Sequence, residues 1–188
     1  LITKVDSLII GGGMANTFLK AQGHEVGRSL FETAHLELAA ELLSLAEFSK
    51  VQVLLPVDVV VAASIDAPEG AVVACDEVPA DMMIVDVGPE SSDAFAAVLA
   101  TARMVIWNGP MGVFENPAFS VGTTELAKAL AASKAVSIVG GGDSVAAVEQ
   151  AGLASSMNHI STGGGASLEF LEGRELPGIA ALTDRAGN

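Results

Sequence analysis

Cysteine is nearly absent. Cys75 stands alone, so no internal disulfide can form and packing must hold the fold. A lone thiol suits a reducing compartment. Basic residues are also scarce: nine Lys and Arg stand against 23 Asp and Glu, a formal net charge of −14 at pH 7. A surface of that sign repels nucleic acid and anionic lipid and excludes both as bulk partners. The three histidines, His24, His35 and His159, are scattered without metal-ligand spacing. No apolar run approaches the length of a membrane span. Charged residues make up 17% of the chain and hydrophobic residues 51%, a balance that argues against disorder and supplies a packed core. The opening Leu1–Asp6 stretch is not a signal peptide and has no initiator Met, so the chain is expected to begin inside something longer or to be processed.

What the sequence does hold is alternation. β-rich runs (Ser7–Ile10, Val51–Leu55, Val57–Ala62, Ala71–Cys75, Met83–Val87, Met104–Trp107, Ala135–Val139, Asn158–Ser161) interleave with helical ones. The helices are expected over Met14–Gln22, Glu32–Phe48, Ser91–Arg103, Thr123–Ser133, from Gly142 through Ala151, and Ala166–Leu171. In the second, Leu36, Ala39, Ala40, Leu43 and Ala46 share a face; in the third, Phe95, Val98, Leu99 and Ala102 do. The Ser64–Asp81 stretch reads as loop or hairpin, and the tail after Pro177 as irregular. Repeated strand–loop–helix order with near-continuous apolar strands predicts an α/β fold, a three-layer sandwich with a mainly parallel sheet.

Three glycine triplets, Gly11–Gly13, Gly140–Gly142 and Gly163–Gly165, each follow a strand and open a helix. One triplet alone is most simply tight strand–helix packing. Three on one sheet edge favour an anion or nucleotide site, because glycine lets backbone approach a ligand and a helix N-terminus offers free N–H groups. An acidic chain that binds a polyanion needs such help, or a divalent cation. The P-loop pattern is absent, and so is G-x-G-x-x-G: the third position holds Asn16, Val145 or Leu168.

Trp107–Glu115 (WNGPMGVFE) is too apolar for an ordinary surface turn. It reads equally as one wall of an adenine slot, with Glu115 accepting from ribose hydroxyls, or as a buried turn with Glu115 in solvent. Asp143 follows the second triplet; chemistry alone favours a helix cap over a magnesium ligand. Asp58 and Asp86, at strand ends, are expected to satisfy loop amides. Cys75 reads as a small core residue and His159 as a structural histidine. No Ser/His/Asp set emerges.

Taken together, DSLIIGGGMANTF (Asp6–Phe18), LPVD (Leu55–Asp58), DVGPES (Asp86–Ser91), WNGPMGVFE (Trp107–Glu115), VGGGD (Val139–Asp143) and STGGGASLE (Ser161–Glu169) resemble, in this order, the phosphoglycerate kinases. The resemblance covers nearly the whole chain and implies the Rossmann-like C-terminal nucleotide-binding domain over residues 1–188. It implies reversible phosphoryl transfer between 1,3-bisphosphoglycerate and ADP, giving 3-phosphoglycerate and MgATP, in a cytoplasmic, glycolytic and monomeric parent. By position, Gly12 and Gly13 match adenine-side glycines, and Val85 an apolar residue against the base. Asn108, Pro110, Gly112 and Val113 match the nucleotide loop, Glu115 the ribose ligand and Asp143 the Mg²⁺ ligand. Gly142 and Ser144 match positions beside the phosphates; Ser144 stands where the family often has Thr. Gly163, Gly164 and Gly165 match the loop whose amides meet the transferring phosphoryl group.

The family's basic N-terminal domain, which holds the phosphoglycerate, has no counterpart here. Nor has the first strand–helix unit of the nucleotide domain, with its phosphate-binding lysines; Lys4, Lys20, Lys50, Lys128 and Lys134 do not match them. The chain alone is therefore expected to lack turnover. A non-catalytic nucleotide-binding or interaction module is the alternative.

Overall fold

The computed structural model describes residues 2–161 and 163–182. Its strands are β1 (Ser7–Ile9), β2 (Gln52–Leu54), β3 (Asp58–Ala62), β4 (Ala71–Ala74), β5 (Met83–Val87), β6 (Met104–Asn108), β7 (Val136–Gly140) and β8 (His159–Ser161). Its helices are α1 (Gly12–Ala21), α2 (Leu36–Phe48), α3 (Pro89–Thr101), α4 (Val121–Ala132), α5 (Gly142–Gln150), α6 (Gly164–Glu172) and the single turn α7 (Pro177–Ala180).

The strands form three hydrogen-bonded sheets. β1 pairs parallel with β2, and β6, β7 and β8 run parallel in that order. The middle sheet, β4-β3-β5, is antiparallel at both pairings, a local departure from the parallel expectation. Its cause lies in the connections. Parallel neighbours need a crossover, usually a helix, and no helix lies between β3 and β5. The mixed α/β class with mainly parallel sheets stands.

Local signals explain the helix ends. Gly88 and Pro89 open α3, where the missing proline N–H costs nothing. The buried carboxylate of Asp58 reaches across from β3 and accepts from Glu90 N (3.0 Å) and Ser91 N (2.7 Å), capping α3 from another strand. Gly173, in the left-handed region, ends α6. α2 starts later than its apolar pattern suggests, because Thr33–His35 form a 3-10 turn. Ala39 and Ala46 are buried, while Ala40 faces solvent. The tail after Pro177 forms one helical turn before its last residues pass outside the described ones.

The main core joins the sheet of β6 and β7 to α3, α4 and α5 through Phe95, Leu99, Trp107, Leu126, Leu130, Val139 and Val148. A second cluster packs Leu19 of α1 on Val59 and Val61 of β3, with Cys75 inside it. Burial pushes the Cys75 thiol up to about 11, with Asp58 and Asp76 adding to the effect, so it is an inert core residue. His159 is exposed, contrary to the structural role expected of it.

Candidate functional site

Sheet register sets the site. Asn108, Gly140 and Ser161 lie in one row across β6, β7 and β8, and each strand ends there. The glycine-bearing loops and the Trp107–Glu115 loop therefore leave the sheet at the same level. The start of α1 joins them from the side: Gly12 N donates to Met111 O at 3.1 Å.

The Trp107–Glu115 loop is the hub. The Trp107 indole N–H donates to Gly109 O (2.6 Å), and Gly109 N donates to Ser144 Oγ (2.6 Å). Met111 N and Gly112 N donate to Thr123 Oγ1 at 3.0 and 3.3 Å. Val113 N donates to Val85 O at 2.8 Å. An apolar cluster around buried Val85 and Phe119 takes in the half-buried Val113. Val85, the residue matched to the base by resemblance, is thus itself buried at 2% exposure, and Val113, matched to the nucleotide loop, is the more accessible of the two.

The triplets divide by position within each. A Cβ on Gly12 would sit 2.8 Å from Pro110 O, one on Gly141 2.8 Å from Asn108 Oδ1, and one on Gly164 2.6 Å from Gly141 Cα. These second glycines are packing residues. The third glycines differ. A Cβ on Gly13, Gly142 or Gly165 would meet nothing within 4 Å, and none of the three has a left-handed φ. Nothing in the fold asks for glycine at these three positions, which open α1, α5 and α6.

Asp143 lies in the first turn of α5 but does not cap it. Gly141 occupies the cap position and no side chain bonds there. Asp143 and Glu115 are both exposed, and among the described residues neither forms an ion pair. Ser144, by contrast, is fully buried and its hydroxyl is taken by Gly109 N. The Gly163 N–H is not free: it donates to Ser161 Oγ at 3.3 Å. The first-turn N–H groups of α5 and α6 have no partner within their own helices, and each helix end carries positive potential.

The structure adds two residues that the sequence did not mark as part of this site. Thr123 looked like one more helix residue. Asp86, read as a strand-end carboxylate, accepts from Gly122 N (2.8 Å) at the start of α4 and from Val87 N (2.9 Å). Burial pushes its carboxyl up to about 6, and the donated N–H groups of Gly122, Val87 and Val121 pull it partly back.

Residues 1–174 match the family profile described as phosphoglycerate kinase. The chain belongs to the phosphoglycerate kinase family. It is 59% identical over 187 residues to phosphoglycerate kinase of Moorella thermoacetica, covering 98% of this chain and 47% of that protein. Phosphoglycerate kinase of Herpetosiphon aurantiacus is 56% identical over 186 residues, with the same coverage of 98% and 47%. In structure, phosphoglycerate kinase from Coxiella burnetii superimposes with a TM-score of 0.92 at 51% identity, over 100% of this chain and 49% of that one. The enzyme from Pyrococcus horikoshii OT3 gives 0.74 at 34% identity, over 95% and 45%. The chain spans about half the length of the curated relatives it matches.

Proposed function

We propose that this chain carries the Mg-nucleotide site of a phosphoglycerate kinase, the enzyme that moves a phosphoryl group reversibly between 1,3-bisphosphoglycerate and ADP. The observation that carries this reading is the open space beside Gly13, Gly142 and Gly165. Glycine unexplained by packing or by φ, at three helix N-termini grouped around one loop, is what close approach of a phosphorylated ligand to the backbone requires.

In this reading the loop holding Asn108, Pro110, Gly112 and Val113 forms one wall for the nucleotide, and Gly12 and Gly13 form the other. Val113, backed by Val85, gives the base an apolar surface, and the Glu115 carboxylate accepts from the ribose hydroxyls. The N–H groups at the start of α5, including Gly142, bind phosphate oxygens. Those of the Gly163–Gly165 segment meet the transferring phosphoryl group. Ser144 acts through its backbone, since its side chain is wholly buried against Gly109.

Phosphoryl transfer asks for positioning and charge stabilisation rather than a protein nucleophile, which fits a site built of amides. A single exposed carboxylate suits magnesium, which takes one or two carboxylates and fills its remaining positions with phosphate oxygens and water. Asp143, matched to the metal ligand by resemblance and exposed in the first turn of α5, is the carboxylate that would hold it in this reading. A bound magnesium ion supplies neutralisation of phosphate charge. The phosphoglycerate contacts are assigned to the other half of the enzyme.

Calorimetric titration of MgADP into the chain, beside Asp143→Ala and Glu115→Ala, tests the site. Saturable binding weakened by each substitution is expected. Absence of binding by the folded chain would remove the reading. With both substrates present, the chain alone is expected to show no turnover.

A further inference from the structure

We propose that Asp86 is the positioning residue of the Trp107–Glu115 loop, acting with Thr123 to fix that loop from behind without touching nucleotide; this rests on the nucleotide reading given above. The bonds close on themselves. Asp86 Oδ2 accepts from Gly122 N at 2.8 Å. The next residue, Thr123, accepts through Oγ1 from Met111 N and Gly112 N. Val113 N then returns to Val85 O at 2.8 Å, and Val85 precedes Asp86 on β5. Two neighbours on β5 and two at the start of α4 thus hold three consecutive residues of the loop, so the loop cannot shift without breaking the circuit.

Two glycines make room for this one carboxylate. A Cβ on Gly112 would run into Asp86 Oδ1, and a Cβ on Gly122 would lie 2.5 Å from the same atom. Gly112 is therefore glycine because of what lies behind the loop, and its match to a nucleotide-contacting position follows from where the loop is held. Asp86 is 1% exposed and Thr123 2%, so neither reaches a ligand. A buried carboxylate without a cation is costly unless its hydrogen bonds are made. Spending one here gains a charged acceptor at the N-terminus of α4, which fixes the geometry more firmly than a neutral group.

The sole tryptophan, Trp107, sits at the root of the loop and is 5% exposed, so its emission reports loop position. The test compares the chain with Asp86→Asn, with the near-isosteric Thr123→Val, and with Val26→Ala, a core truncation in the separate Leu19–Val78 cluster. All are checked by circular dichroism at low temperature. We expect Asp86→Asn and Thr123→Val to shift Trp107 emission to the red and to weaken MgADP at least tenfold. Val26→Ala should lower the melting midpoint while leaving emission and affinity within twofold of the parent chain. Unchanged emission in both site variants overturns the proposal, as does a loss of affinity that Val26→Ala reproduces. If Asp86→Asn fails to fold, Thr123→Val alone decides. If the parent chain binds no MgADP, the nucleotide reading fails, and the emission comparison still decides whether Asp86 and Thr123 hold the loop.

Discussion

The hydroxyl of Ser144 accepts the backbone N–H of Gly109 at 2.6 Å, tying the first turn of α5 to the loop that leaves β6. Ser144 is wholly buried, so no water replaces a lost hydroxyl. Removing one partner of a buried pair leaves the other unsatisfied and costs about 1–3 kcal/mol. Ser144→Ala is therefore expected to lower stability by that amount in urea denaturation and to weaken MgADP binding through a displaced loop. Ser144→Thr keeps the hydroxyl and should stay near the parent chain in affinity. Equal affinity for Ala and Thr at this position would mean that the bond does not position the site.

The split within the glycine triplets gives substitutions of opposite sign. Gly141→Ala places a methyl against Asn108 Oδ1 at a residue with φ of 94°, and Gly164→Ala drives one into Gly141. Each is expected to cost about 2 kcal/mol or more through strain and overpacking. Gly142→Ala and Gly165→Ala fill open space in the first turns of α5 and α6, where alanine is better than glycine by at most the helix-interior value of about 0.5–1 kcal/mol. These two should raise the melting midpoint while weakening nucleotide binding. A rise in midpoint with unchanged MgADP affinity would show that no ligand comes near those positions.

Much of this was legible in the residues. The alternation of strands and helices gave the α/β class, because an apolar run followed by glycine and an Ala/Leu-rich stretch has few other uses. The strand Met83–Val87 appears with the bounds expected of it, since five apolar-rich residues between turn signals leave little choice. The antiparallel β3 was not legible, because pairing direction depends on which strands meet in space rather than on any property of Asp58–Ala62. Within the site, the triplets were visible but their division was not. Gly12 and Gly13 are identical as letters, and only the fold separates them: Gly12 has a φ of 60° and faces Pro110 O, whereas Gly13 faces open space. Thr123 carried no motif, and Asp86, though it opens the DVGPES run and was expected to hold loop amides, gave no sign of which ones, since the partners of these two residues lie 12 and 36 residues away.

Asp86 also makes stability depend on pH in a definite direction. Its carboxyl is raised from 3.8 to about 6, with burial the largest cause. The folded chain thus holds this proton more tightly than the unfolded chain does. The favourable contribution is complete below the unfolded value near 3.8 and is lost as pH rises through about 6. About two pH units correspond to ~3 kcal/mol. Asp86→Asn has no such proton, so the unfolding free energy of the parent chain minus that of Asp86→Asn should be larger at pH 4 than at pH 7.5 by about 2–3 kcal/mol. Other carboxylates titrate in both proteins and cancel in the difference. Urea denaturation at the two pH values measures it, and parallel profiles would place the titration elsewhere.

The parallel sheets leave apolar surface that a fully covered α/β fold would bury. Met104 and Ile106 on β6 and Val136 on β7 are 59%, 38% and 46% exposed, and among the described strands β1 and β6 each pair on one side only. Strands of parallel sheets are ordinarily covered on both faces, and open edges invite pairing. The relatives are about twice as long as this chain, so they have polypeptide to spare for such cover. The double change Met104→Lys with Ile106→Lys separates the two situations. If the face is open in this chain, the change should cost less than about 1 kcal/mol here, as surface substitutions do, and should reduce concentration-dependent association in sedimentation velocity. Placed in a longer chain carrying the relatives' additional segments, the same change should cost several kcal/mol, because it buries two unpaired charges. A comparable loss in both chains would mean that this face is already internal to the shorter one.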